Sequence, residues 1–272
     1  MSDHRLPLLL EPAELRQHIG SDQVLIVDLS NAQVHQQYHV PGAVHLDYGH
    51  IIKNQPPIVG LVPEATELAA MFTALGLRPD SQVVAYDEEG GGKAARFLWT
   101  LDVTGHPHGS LLNGGLQAWL NSDNPITNQS RGITPGDYTV RPHEQALADQ
   151  EYVRSHLGRA DLAIVDARSP AEYQGQDLRT RRGGHIPGAV NIEWTRVLDH
   201  RRNMRLKSED ELRQLFETAG VIADKQIVTY CQSHHRSALI YFVLKYLGYP
   251  RVKGYPGSWS DWGNSPDTPI ET

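Results

Sequence analysis

The chain has 272 residues, 39% of them hydrophobic, a formal net charge of −7 and one cysteine, Cys231. That length suits about two domains of ordinary size, and a lone cysteine excludes an internal disulfide or a thiolate metal cage. The acidic balance argues against nucleic acid or an anionic membrane as the main partner, and no run of about 18 apolar residues marks a membrane span.

The start, MSDHRLPLLLEPAEL, shows no basic n-region and no small-residue cleavage site, so no signal peptide is expected. The reducing cytoplasm is the expected compartment for a single free thiol. A helix is expected over residues 12–18, then a short β-branched and leucine run, Val24–Asp28, that suits a strand buried on both faces. A His-Val-Pro-Gly-Ala-Val turn leads to another short strand; a helix over 63–75 follows, then a strand ending at Tyr86, a loop and a long helix. The stretch 124–142, NPITNQSRGITPGDYTVRP, has the composition of a surface linker.

The same plan then recurs: a helix over 149–157, a strand at Leu162–Asp166, a His-Ile-Pro-Gly-Ala-Val turn, a helix over 208–219, and a strand ending at Tyr230. The sequence itself repeats in the same order. LIVD (25–28) matches AIVD (163–166), HVPGAV (39–44) matches HIPGAV (185–190), and QVVAY (82–86) matches QIVTY (226–230); GLQAW (115–119) answers SWSDW (258–262). An offset of roughly 140 residues is a duplicated domain and not a solenoid. The expected organisation is a domain at 1–123, a linker at 124–143 and a domain at 144–272. Strands alternating with helices indicate an α/β fold, two tandem domains each with a mostly parallel central sheet flanked by helices. Ligands of such sheets sit beyond the carboxyl ends of the strands, and Cys231 follows one.

The loop after that strand reads CQSHHRS, and the helix beyond it shows Leu239, Phe242, Val243, Tyr246 and Leu247 on one stripe. Backbone N–H groups of a first helical turn lack internal partners. With Gln232, Ser233, His234, His235, Arg236 and Ser237 curling round, they would form an anion cradle. The helix dipole and Arg236 add positive potential, so a thiol there should ionise easily, stay open to small anionic donors and act as the nucleophile. A lone cysteine is more often a small buried hydrophobe; a loop this polar argues against that here.

These residues carry a family resemblance. The duplicated IVD, H[IV]PGA, strand-Cys-loop-helix and GSWSDW pattern resembles the tandem-domain rhodaneses of bacterial type, and CQSHHRS resembles the loop of a thiosulfate:cyanide sulfurtransferase subgroup. The resemblance implies that the Cys231 thiolate takes the outer sulfur of thiosulfate, releases sulfite, and passes the sulfur from a persulfide to cyanide or a thiol acceptor, thioredoxin among them. It implies no cofactor and no metal. It also implies substrate binding by residues 232–236, with Arg236 facing thiosulfate and the departing sulfite; the alternative for Arg236 is a salt bridge on the helix rim. His234 and His235 either bind substrate or present only their backbone amides. By the same resemblance Asp166, with Arg168 beside it, helps organise the loop, although capping the following turn is a competing role. Trp194 either lines the pocket or packs in the core.

One position departs from the family pattern. Many relatives have a substrate-binding arginine six residues after the aspartate, where this chain has Glu172; Arg179, Arg181 or Arg182 substitutes, or Arg236 acts alone. In the first half Asp87 stands where Cys231 stands, in a DEEGGGK loop. That half is expected to keep the fold without the activity. GGGK is not a phosphate loop, because Asp87 and Ala94 occupy the positions of its first Gly and its hydroxyl residue. His39, His185, Trp119 and Trp262 recur in both halves and are assigned to the fold. A monomer is expected, since a fused repeat supplies internally the interface a dimer would.

Other readings fit less well. A dual-specificity-type phosphatase would place the arginine at Cys231 plus six, and here it is at plus five. A 3-mercaptopyruvate sulfurtransferase would have a shorter, Gly-rich loop. A cysteine peptidase leaves the repeat unexplained, and zinc would need Cys231, His234 and His235 to converge from one tight turn. A persulfide-carrying delivery or sensor protein needs the same intact loop and is separated from an enzyme only by turnover.

Overall fold

The computed structural model describes residues 5–272. Residues 1–4, where the stretch read for a signal peptide begins, lie outside the described residues. The chain divides into two compact units. In the first, five parallel strands lie in the order Leu9–Leu10, Gly109–Leu112, Gln82–Tyr86, Val24–Asp28, Val44–His45. In the second, four parallel strands lie in the order Val252–Gly254, Gln226–Tyr230, Leu162–Asp166, Ala189–Asn191. Helices cover these sheets, so the central strands are apolar on both faces. Val83, Val84 and Ala85 are buried in one unit and Ile227 and Val228 in the other, each valine or isoleucine among them stabilising by about 1.5–3 kcal/mol.

The repeated motifs have repeated physical jobs. The hydroxyl of Tyr86, at a strand end, accepts the Val40 amide at 3.1 Å, and that of Tyr230 accepts the Ile186 amide at 3.2 Å. Each thereby ties the His-x-Pro-Gly turn to the sheet. His39 and His185 are buried and their Nδ1 atoms bond the carbonyls of His35 and Tyr173. Trp119 and Trp262 donate their indole N–H groups to Pro125 and Pro269. The helix after the Cys231 loop, Arg236–Tyr246, departs from the one-stripe expectation: Ser237 to Leu244 are all buried. A helix apolar on every side is a core helix.

The units do not follow the repeat boundary. Ile52–Val62, from the first half of the sequence, belongs to the second unit; Asp199–Leu206, from the second half, belongs to the first. The first of these segments carries an antiparallel hairpin, Lys53–Gln55 with Ile58–Leu61. The second is anchored where the Leu206 amide donates to Asn113 Oδ1 at 2.8 Å and Arg205 Nε to Glu11 Oε2 at 3.1 Å.

Candidate active site

Cys231 follows the Gln226–Tyr230 strand and precedes the Arg236–Tyr246 helix. The connecting turn is tight because His234 is held in the left-handed region, at φ +55°, unusual for a residue with a side chain. Its hydrogen bonds hold it from outside. The Trp259 amide donates to the Cys231 carbonyl at 2.9 Å and the Ser260 amide to the Gln232 carbonyl at 3.0 Å. The hairpin from residues 52–62 lies against the same turn. Val59 donates to Ser260 Oγ at 3.0 Å, and Gly60 approaches so closely that a Cβ there would stand 2.3 Å from the Ser233 carbonyl oxygen. Only glycine permits that approach, and at φ +83° only glycine adopts the backbone readily.

Cys231 is 1% exposed. It was expected to lie open; the polar turn instead folds over it, and Gln232, Ser233, His235 and Arg236 form a half-buried rim. Polar groups nonetheless act on the buried thiol. Burial alone would raise the thiol, but the Arg236 charge, the Ser237 hydroxyl and amide and the Ser233 amide outweigh it, and the thiol is held below its ordinary value. A thiol lowered in this way ionises more readily than an ordinary cysteine.

The other expected residues divide into those at the cradle and those that brace it. Ser237 is buried and its hydroxyl lies 2.7 Å from His234 Nδ1. His234 is itself fully buried, so its imidazole faces inward while its backbone shapes the turn. His235 is at the rim, its ring 6.4 Å from that of Trp194, which is half-buried. Arg236 forms a bidentate pair with Glu172, at 2.6 and 2.8 Å. Glu172 is 2% exposed and thus occupies, from within the protein, both arms of the guanidinium. Burial would raise its carboxyl, but the Arg236 bond and charge, with the Ser169 amide and hydroxyl, take it down to about 2.

Of the three arginines weighed as substitutes at the Glu172 position, Arg182 is committed to the carbonyls of Trp262, Ser265, Pro266 and Thr268. Arg179 is exposed, bonded to Asp177 and 3.6 Å from Glu172; Arg181 is exposed. Asp166 and Arg168 form a buried pair below the loop. Arg168 donates Nε to both carboxylate oxygens at 3.0 Å and Nη2 to Oδ2 at 2.5 Å, and its guanidinium lies 4.4 Å from the Trp259 ring. Among the described residues no group of three or more His, Cys, Asp or Glu side chains is disposed to hold a metal ion.

The first unit shows the same cradle with its own contents. Asp87 Oδ1 accepts the amides of Glu89, Gly90 and Gly91 at 2.9, 3.1 and 2.8 Å, and Oδ2 accepts Ala94 at 2.9 Å. The amide ring is filled by a carboxylate of the chain itself. Burial and the Glu89 charge outweigh these donors and raise Asp87 from 3.8 to about 6. Because the folded form then binds the proton more tightly than the unfolded one, this group favours folding increasingly as pH falls from about 6 to 3.8. A carboxyl-detected NMR titration is expected to place the Asp87 midpoint near 6; a midpoint at the ordinary aspartate value would show that the four amides win.

A model of the rhodanese-like domain matches residues 11–122 and again 149–265. The chain belongs to the rhodanese family. It is 47% identical to a thiosulfate sulfurtransferase of Azotobacter vinelandii over 98% of this chain and 97% of that protein. It is 45% identical to a thiosulfate sulfurtransferase of Pseudomonas aeruginosa over the same shares of the two chains. The solved structure of the Escherichia coli 3-mercaptopyruvate sulfotransferase superposes with a TM-score of 0.84 at 28% identity, covering 93% of this chain and 99% of that one. This rhodanese therefore has two family domains, of which only the second carries a cysteine.

Proposed function

We propose that this rhodanese is a thiosulfate sulfurtransferase working through a Cys231 persulfide. The observation that carries the reading is a single thiol held below its ordinary value by the Ser233 and Ser237 amides, the Ser237 hydroxyl and Arg236. The Cys231 thiolate attacks the outer sulfur of thiosulfate. A Cys–S bond forms, the S–S bond of the donor breaks, and sulfite leaves with the electron pair. Cyanide carbon then attacks the outer persulfide sulfur, thiocyanate forms, and the thiolate returns to the cradle. A thiol acceptor, a protein thiol such as that of thioredoxin included, takes the sulfur by the same displacement.

The rim residues Gln232, Ser233 and His235 receive the donor's oxyanion end, and Arg236, held by Glu172, contributes its charge beside the sulfur. Ser237, His234, Asp166 and Arg168 hold the loop, and Trp194 flanks the rim beside His235. The first unit, with Asp87 in its cradle, carries no sulfur. Among the described residues no helix is long and apolar enough to cross a membrane, and we place the protein in the reducing cytoplasm as a monomer, without cofactor.

Intact mass after thiosulfate treatment is expected to rise by one sulfur atom and to return on adding cyanide. In Cys231→Ser the adduct should be absent and turnover should fall by at least about a thousandfold. An adduct in Cys231→Ser, or none in the wild type, would refute the reading. The 3-mercaptopyruvate alternative is favoured by the superposable fold and opposed by the bulky charged loop; turnover on the two donors decides it.

A further inference from the structure

At one buried position the first repeat has a glycine, Gly115, and the second a serine, Ser258. Trp259 donates its amide to Cys231 O at 2.9 Å, and Leu116 donates its amide to Asp87 O at 2.9 Å. Those matched bonds make Ser258 the counterpart of Gly115. The backbone agrees, with φ +51° at Ser258 and +54° at Gly115. In the first unit glycine, which tolerates this conformation, fills the position. In the second a serine is held there despite the steric penalty of a Cβ in the left-handed region.

What the serine adds is its hydroxyl. Ser258 is fully buried. Its Oγ donates to the Tyr255 carbonyl at 2.7 Å and accepts the amides of Cys231 at 3.3 Å and His234 at 3.0 Å. It bridges the first and fourth residues of the turn, and the fourth, His234, is itself held left-handed. In the first unit the loop amides converge on Asp87 instead, and no such bridge is needed. Around Cys231 the amides of the first and fourth residues of the turn are instead taken by a hydroxyl from another segment of the chain.

We propose that Ser258 is a positioning residue for Cys231. By taking the Cys231 and His234 amides onto one oxygen, it fixes the turn so that the Ser233 and Ser237 amides face the sulfur. The inference rests on Cys231 being the reacting thiol, and it assigns Ser258 no contact with the donor.

Two variants test it. Ser258→Gly removes the hydroxyl and relieves the backbone, as Gly115 does in the sister repeat; Ser258→Ala removes the hydroxyl alone. Both are read by the pH dependence of Cys231 alkylation by iodoacetamide, by steady-state sulfur transfer from thiosulfate to cyanide, and by thermal unfolding. The expected result is an alkylation midpoint raised by about one pH unit and kcat reduced by about tenfold or more, with Ser258→Gly unfolding close to the wild type. An unchanged midpoint with turnover within about twofold in either folded variant would overturn the proposal. If wild-type protein is inert toward thiosulfate while the midpoint still moves in the variants, the sulfur-transfer reading fails and the role of Ser258 stands.

Discussion

Arg236→Gln is expected to slow persulfide formation by on the order of a hundredfold and to raise the pH at which Cys231 becomes reactive. Two effects act in the same direction. The substitution deletes the cation that, next to burial, most strongly affects the thiol. It also strips Glu172, 2% exposed, of its bidentate partner, leaving the buried carboxylate only the Ser169 donors and the more distant Arg179. The stability consequence has a definite pH window. In the folded protein the Glu172 carboxyl lies at about 2 against an ordinary 4.5, so its contribution is complete above 4.5 and is lost as pH falls toward 2. The stability gap between wild type and variant should thus be widest near neutrality and close in acid. Rapid-mixing alkylation across pH, with chemical denaturation at neutral and acid pH, measures both. An unaltered alkylation profile would show that Arg236 does not tune the thiol.

Arg168→Met is expected to destabilise the second unit by about 3–5 kcal/mol, a large part of the stability of an ordinary domain. Asp166 is fully buried and takes three contacts from the Arg168 guanidinium besides the Arg168 amide at 2.9 Å. Losing one member of a buried pair strands the other charge. Arg168 also donates to the Gly184 carbonyl at 2.8 Å and lies over Trp259, whose amide holds the Cys231 carbonyl. The damage should therefore reach the cradle. Denaturant unfolding followed by tryptophan fluorescence would measure it, and a loss under about 1 kcal/mol would mean that relaxation rehydrates Asp166. The first unit meets the same need differently: Asp28, at the matching strand end, pairs with His35 Nδ1 at 2.7 Å.

The local parts of this architecture were legible in the sequence. The strands Val24–Asp28 and Leu162–Asp166 have the expected bounds, because short apolar runs between turn residues state their own limits. Helix starts were displaced by a residue or two: Asp149 and Ser208 are N-caps just outside their helices. Cys231 was marked by the polarity of its turn and the helix behind it. What escaped depends on residues far apart in the chain. A salt bridge was one of the readings of Arg236, but its partner, Glu172, 64 positions away, has no local signature, though a glutamate in place of an expected arginine was the clue. Ser258 was legible only as part of a repeated Trp-containing motif, since its role lies in one buried oxygen and a backbone angle. The stripe on the Arg236–Tyr246 helix misled because the sequence shows which residues are apolar, not how many neighbours surround them.

The exchange of segments between the units has a bearing on dissection. A fragment cut at the junction of the two repeats would keep the cysteine and leave behind the hairpin whose glycine presses on Ser233, while the other fragment would forfeit the strip that docks on Asn113 and Glu11. Each compact unit takes one segment from the other repeat, so a cut between the repeats divides both units.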